Sequence, residues 1–481
     1  MFKKILLGIL ATLIVVTGLI LFKTFRYGKD MPVQTASGHG NMPDSAVAHL
    51  QKAITHKTIS WGGNRAADTS EFMAFKNFLV RTYPLVHSRL SLQEFGGFTY
   101  LYKWEGKNSS LPPYVLMAHY DVVPVEEAAL SKWTCQPFGG ELKDDKVWGR
   151  GAVDDKASVI AMLEAVEKLL QENFTPDRTV YVSLGHNEEI GGIGGAEEVA
   201  KWFRQNNIKP ALVLDEGGMI TKTMKYTDRP VALISTAEKG YMSFELKVEL
   251  AGGHSSQPKQ ETAIDVLNKA LVNLRKLQMP VHFTEPVEEM FLRLGKQIPF
   301  KERMAFANRW LFEKMIAKAA ESDGQQNALF HTTLVPTLIN AGIKDNVIPS
   351  VATAIVNCRL LPSETLDNVE AFMKKQMADD RVAIRRLNEE FYNAPAITSF
   401  TGKGFQHVEG LVYKTVKDVL PVPFQLMGTT DSRHFQDISE AVIRFTPFTD
   451  VKGYHGIDEH IELADFRQMI FFYTLFLKEA R

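Results

Sequence analysis

Cysteine is nearly absent: only Cys135 and Cys358 occur in 481 residues. Two thiols allow a single disulfide but exclude a disulfide scaffold and any metal site built from cysteine. Excess charge of one sign is missing as well. The formal net charge is −1, so electrostatics give no reason to expect nucleic acid as a partner. Internal repeats and low-complexity tracts are lacking too. What is there is ordinary globular composition, 45% hydrophobic and 23% charged, in a chain long enough for two or three domains.

The first thirty residues differ from the rest. Lys3 and Lys4 precede an uncharged, mostly apolar run from Ile5 to Phe22, and Lys23, Arg26 and Lys29 follow it. At ~1.5 Å per residue this run just spans a ~30 Å hydrocarbon core. No Ala-x-Ala pattern follows it, so residues 1–30 read as an uncleaved signal anchor, with a cleaved secretory signal as the alternative. A short N-terminus before a large body favours a body outside the cytoplasm: periplasmic, extracellular or lumenal. Residues 31–45 read as a polar linker.

Over 46–238, strand-like apolar runs alternate with helix-like stretches such as Ala157–Glu172. That alternation predicts a mainly parallel, helix-covered sheet of α/β class, resumed at 396–481. The texture changes near Lys239. Ser243–Leu250 alternates apolar and charged residues, as a half-solvated strand does. Further helix-like and strand-like runs give the order β-α-β-β-α-β, a small α+β domain over 239–395 inserted into the larger one. Within it, 281–330 carries Phe291, Phe300, Phe306, Trp310 and Phe312. This segment reads as a helical elaboration packed on its own domain, or alternatively as a lid or groove for a greasy substrate.

Several apolar runs end in acids or a histidine. Tyr114–Ala118 precedes His119, Thr179–Leu184 leads to Glu188-Glu189, and Ala211–Leu214 runs into Asp215. In open α/β sheets the carboxyl ends of strands line the ligand cleft. His119, Asp154, Glu189, Asp215 and His455 together form a mixed imidazole and carboxylate set that suits two zinc-like cations bridged by a carboxylate. Glu188, beside Glu189, is placed to serve as general base. Asp121, two residues after His119, is placed to accept the second ring N–H of that imidazole. Each element alone is commonplace; their joint placement amid Gly149-Arg-Gly and Gly191–Gly195 carries the reading.

The segments Met117-Ala-His-Tyr-Asp-Val-Val-Pro124, Trp148–Lys156, Asn187-Glu-Glu-Ile-Gly-Gly192 and Gly252-Gly-His-Ser-Ser256 resemble those of metallopeptidase family 20, which includes carboxypeptidase S, aminoacylase and glutamate carboxypeptidase. The resemblance implies a di-zinc catalytic domain interrupted by a lid or dimerisation domain. It implies that His119 and Asp215 hold one zinc, that Glu189 and His455 hold the other, and that Asp154 bridges them. Glu188 would be the base, and the Asp154-Asp155 peptide would be cis. His254 would stabilise the oxyanion, often from a partner subunit. Asn346, Arg359, Gly428 and Thr429 would bind substrate; an arginine fork suits a carboxylate. Thr429 departs from the usual glycine of that loop.

The expected function is hydrolysis of C-terminal peptide or N-acyl-amino-acid amide bonds in substrates with a free carboxylate. N-fatty-acyl-amino-acid hydrolysis or synthesis, or aminoacylase action, is the alternative, since the insert and anchor resemble the carboxypeptidase S branch. A non-catalytic binding domain on the same fold is the rival from another class. A homodimer through the lid domain and membrane contact through the anchor are the expected associations.

Overall fold

The structure, a computed structural model, describes residues 2–33, 38, 40, 42–62, 65–257, 259–451 and 453–481. Residues 34–37, 39 and 41 of the expected linker lie outside the described residues. The chain divides into two compact units. The larger comprises Met31–Thr236, Thr398–Phe424 and Thr430–Arg481; the smaller comprises Met1–Asp30, Ala237–Ile397 and Gln425–Thr429.

The larger unit is built on a mixed sheet. Its centre is parallel: the strand Tyr114–His119 lies between Val180–Gly185 and Leu212–Asp215, and Leu212–Asp215 pairs in parallel with Val442–Arg444. Its flanks are antiparallel, with Thr99–Trp104 between Val180–Gly185 and the edge strand Ser91–Phe95. The sheet is therefore parallel only at its centre and not over most of its width. Antiparallel neighbours need no crossover helix, and the turn Gly96-Gly97 joins Ser91–Phe95 to Thr99–Trp104 directly.

Every residue of Tyr114–His119 and Val180–Gly185 is buried, because helices cover both faces. Successive side chains leave a strand on opposite sides. Tyr114, Leu116 and Ala118 accordingly join the core with the helices Ala46–Ile54, Lys156–Gln171 and Leu463–Lys478. Val115 and Met117 join the opposite core with Val199, Ala200 and Phe203 of the helix Ala196–Gln205. Both faces being filled, the open edge at the strand ends is where polar groups can gather.

In the smaller unit a four-stranded antiparallel sheet runs in the order Thr333–Ala341, Val351–Leu360, Gly240–Glu249, Val382–Tyr392. Met242, Phe244, Leu246 and Val248 point to one side, where they pack with Val266 and Leu267 of the helix Ala263–Leu274 and Val369 and Met373 of Leu366–Met377. Residues 281–330 form four helices, Glu285–Leu294, Phe300–Ala307, Arg309–Ala320 and Gly324–Phe330. Phe291 stacks on Phe306 with ring centroids 4.1 Å apart and also meets Phe330, so part of this aromatic series is the insert's own core. The N-terminal helix Phe2–Arg26 belongs to the same unit. Cys135 and Cys358 are buried free thiols.

Candidate functional site

The parallel strands bring their carboxyl ends to one edge of the larger unit. His119 is the last residue of its strand and lies level with Gly185, three residues before Glu188. Asp154 follows the loop Gly149–Val153 and precedes the helix Lys156–Gln171 through a cis Asp154-Asp155 peptide. His455 comes from a turn near the C-terminus.

Asp154 faces two ways. Its Oδ1 lies 2.9 Å from His119 Nε2, and its Oδ2 lies 3.0 Å from His455 Nε2. On the first side, Glu216 Oε1 lies 3.2 Å from His119 Nε2; on the second, Glu189 Oε2 lies 3.1 Å from His455 Nε2. Two groups of donor atoms result, His119–Asp154–Glu216 and Asp154–Glu189–His455, each with its atoms within 4.8 Å of one another. Nitrogen and carboxylate donors in this mix suit a zinc-like divalent cation. Glu189 Oε1 is buried and accepts no hydrogen bond among the described residues, which fits a further donor turned toward a cation.

Asp215 does not join either group. Its Oδ1 accepts the N–H of Glu216 at 3.0 Å and its Oδ2 the N–H of Ser432 at 2.8 Å. In the first donor group the place expected of Asp215 is taken by its neighbour Glu216. One residue's step along an extended chain reverses the side chain's direction, so two adjacent acids cannot be told apart by spacing. Instead, Asp215 ties the loop Thr430–His434 to the strand end.

Asp121 sits under the centre. His119 Nδ1 lies 3.0 Å from the Asp121 carbonyl oxygen and 3.3 Å from its Oδ1. The carboxylate also accepts the backbone N–H groups of Glu188 and Glu189, at 3.1 and 3.2 Å. Asp121 therefore orients both the imidazole and the turn that carries the two glutamates.

Three residues escaped the sequence reading in these roles. Besides Glu216, the buried Glu459 accepts from Arg150 Nη1 at 2.6 Å and from the N–H groups of Gly151, Val153 and Asp154 at 3.0, 2.9 and 3.2 Å. It holds the loop that presents Asp154, and it explains the buried Arg150. The third is Asp431, whose Oδ1 would lie 2.1 Å from a Cβ on Gly192, a residue at φ +66. Only glycine admits that approach and that backbone angle. No local signal separates these acids from surface ones.

So many acids in one place cost electrostatic energy. Burial, followed by the neighbouring carboxylates, raises the Glu188 and Glu189 carboxyls above their ordinary range. Burial likewise pushes Glu216 and Asp431 up to about 7. Burial would raise Asp154 too, but hydrogen bonds from His119 and His455 hold it well below the usual carboxylate range. Hydrogen bonds donated to Asp154 and Glu189 lift His455 to about 10. A site this rich in carboxylates is one that bound cations would stabilise.

The remaining candidates lie in the smaller unit. The strand Gly253–His254 pairs with Val347–Ile348, and Ser255 N–H donates to the Asn346 carbonyl at 3.3 Å, so His254 and Asn346 share one short ribbon. His254 is exposed, with Nδ1 2.7 Å from Ser256 Oγ. Arg359 lies opposite Tyr241, its guanidinium 4.7 Å from the ring centre. Gly428 is exposed and Thr429 half-buried. Arg433 donates to the Thr430 carbonyl at 2.7 Å and also to that of Gly191, which makes it a clamp between loops of the larger unit.

Known proteins resemble this chain over most of its length. Probable carboxypeptidase S-like 2 of Dictyostelium discoideum is 36% identical over 440 residues, covering 90% of this chain and 84% of the relative. The N-fatty-acyl-amino acid synthase/hydrolase PM20D1 of Mus musculus is 34% identical over 445 residues, covering 90% and 87%. Among solved structures, the M20 family metallo-carboxypeptidase Sso-CP2 from Sulfolobus solfataricus has the same fold, with a TM-score of 0.67 at 20% identity, covering 91% of this chain and 99% of that one. Residues 115–479 match the model of the peptidase family M20/M25/M40. With strand ends, glycine loops and converging acids all accounted for, the chain belongs to the M20/M25/M40 peptidase family.

Proposed function

We propose that this enzyme is a membrane-tethered di-zinc amidohydrolase that cleaves an amide bond next to a free carboxylate. The observation that carries the reading is Asp154, whose two oxygens face two separate groups of donors. His119 and Glu216 would hold one cation, Glu189 and His455 the other, with Asp154 between them. Bound there, the cations supply Lewis acidity, polarising an amide carbonyl and easing deprotonation of a water.

Glu188 takes the proton from the attacking water and passes it to the leaving nitrogen. A carboxyl raised by burial suits both roles, since it can hold a proton between the two steps. Asp121 keeps His119 and the Glu188 turn in place throughout. His254 would stabilise the oxyanion, Asn346 would hold the substrate carbonyl, and Arg359 with the Gly428-Thr429 loop would hold the carboxylate.

The substrate class follows from what the relatives' names share. Carboxypeptidase action and N-fatty-acyl-amino acid hydrolysis both cut an amide whose amine side ends in a carboxylate. The apolar N-terminal helix, long enough to cross a bilayer, supports the tether. The edge strand Thr333–Ala341, with Val335, Leu338 and Ile339 exposed, supports pairing of two copies through the smaller unit. The test is a substrate panel of dipeptides and short- and long-chain acyl amino acids, combined with metal analysis. Absence of bound metal together with absence of turnover across the panel would favour a binding domain instead.

A further inference from the structure

The exposed face of the helix Arg309–Ala320 stands out in the smaller unit. Trp310, Leu311 and Met315 are 63%, 51% and 55% exposed, far above what burial of such side chains favours. With Lys314 and Lys318, both exposed, they share one helical face: five positions at spacings of one, three, one and three residues. The opposite side of the helix packs through Ile316, Ala317 and Ala320, so the exposed face mixes aromatic and aliphatic groups with lysines, whose stems can lie along an apolar boundary while their ammonium groups reach water or phosphate. Phe300 on the preceding helix is 39% exposed.

What the face meets is indicated by the N-terminal helix. Its last turn is stapled to the insert. Buried Asn308 donates through Nδ2 to the Ile20 carbonyl at 3.2 Å and to Thr24 Oγ1 at 3.2 Å. Phe25 and Phe300 have ring centroids 5.6 Å apart. Lys29 N–H donates to the Leu292 carbonyl at 3.0 Å, and Lys29 Nζ pairs with Glu289 at 2.6 Å. A Cβ on Gly295 would lie 2.7 Å from Gly28 Cα, so the backbones touch there. Upstream of Ile20 the helix presents bare apolar side chains, and Lys23 and Arg26 mark where it leaves them. Asn308 reads the helix at that level, and Trp310 follows two residues later.

We propose that the helix Arg309–Ala320 lies on the surface of the same bilayer that the N-terminal helix enters. Trp310, Leu311 and Met315 sit at the boundary of headgroups and acyl chains, and Lys314 and Lys318 reach the phosphates. This rests on reading the N-terminal helix as a membrane anchor. The insert is then a collar fixed to the anchor. It holds the smaller unit, with its candidate substrate residues, against the surface where acyl-chain substrates are dissolved.

The test uses the full chain in vesicles of phosphatidylcholine with a minority of phosphatidylglycerol. Some of the lipid is brominated near the carbonyl end of its chains. The wild type should show a quenchable tryptophan component that is lost in Trp310→Phe. Leu311→Glu with Met315→Glu should remove the same quenching while the protein still floats with the vesicles and keeps its circular dichroism. Flotation with equal quenching in wild type and Trp310→Phe overturns the collar and leaves the anchor standing. Failure of the wild type to float overturns both. Neither readout depends on catalysis, so the hydrolase reading stands or falls separately.

Discussion

Asp121 Oδ1 accepts the backbone N–H of Glu188 at 3.1 Å. The same residue faces the second ring nitrogen of His119. A single buried carboxylate thus couples the orientation of a metal-type histidine to the position of the acid beside it. Changes at Asp121 should therefore disturb two functions together.

Asp121→Asn keeps the shape but weakens both sets of bonds. Metal affinity should fall roughly 10–100-fold, as for other groups that orient metal-bound histidines. The kcat at saturating metal should also drop, because the Glu188 turn loosens. Titration with zinc, followed by kinetics at saturation, separates the two effects. A variant with normal kcat once metal is restored would mean that Asp121 acts on His119 alone.

Glu188→Gln should retain the metal content and the thermal stability of the wild type while losing about 10²–10⁴-fold in kcat. Metal analysis and rates on an N-acyl amino acid are the measurements. Comparable turnover in both proteins would remove Glu188 from the role of base.

Glu216→Ala and Asp215→Asn discriminate between adjacent acids. The first should cost about one metal per chain. The second should leave the metal count intact and impair substrate binding, since Asp215 holds Ser432 and its loop. The reverse outcome in metal content would return the ligand role to Asp215.

Glu459→Gln leaves buried Arg150 without its charged partner. Removing one member of such a pair typically costs about 3–5 kcal/mol. Denaturant unfolding should show a loss of that order, with metal affinity also reduced because the Asp154 loop is freed. Arg150→Met added to Glu459→Gln should cost less than the sum of the single changes.

His407 forms a three-ring cluster with Tyr114 and Phe476, each with its centroid 5.4 Å away. Burial lowers its pKa to about 4. The unfolded chain, with a histidine pKa of about 6.5, binds this proton more readily than the native state does. Its contribution to stability is therefore complete above pH ~6.5 and is lost as pH falls toward about 4. His407→Phe should flatten stability against pH by up to about 1.4 kcal/mol per unit in that window. An unchanged slope would show that the native imidazole titrates normally.

Much of this enzyme was legible locally. Tyr114–His119 and Val180–Gly185 announce buried central strands because both faces are covered, so every residue is apolar or small until the strand ends. Ser243–Leu250 announces the opposite case, a strand with one wet face, by strict alternation. His119, Glu189 and Asp215 could be singled out because acids and histidines after buried runs have nowhere to lie except a cleft edge, whereas Asp154 and His455 follow no such run and stood out only by the motifs they share with a known family.

The rest was decided by tertiary structure, and for one physical reason: it depends on pairings between residues far apart in the chain. Glu459 reaches Asp154 across 305 positions, and Asn308 reaches Thr24 across 284. Asp215 and Glu216 differ by one position, and only the folded strand end decides which carboxylate turns to His119. Sequence periodicity reports which side of an element is buried, not what comes to cover it. The sequence alone determined that acids and histidines would meet at strand ends; which oxygen meets which nitrogen, and that the N-terminal helix is clasped by the insert, was left to packing.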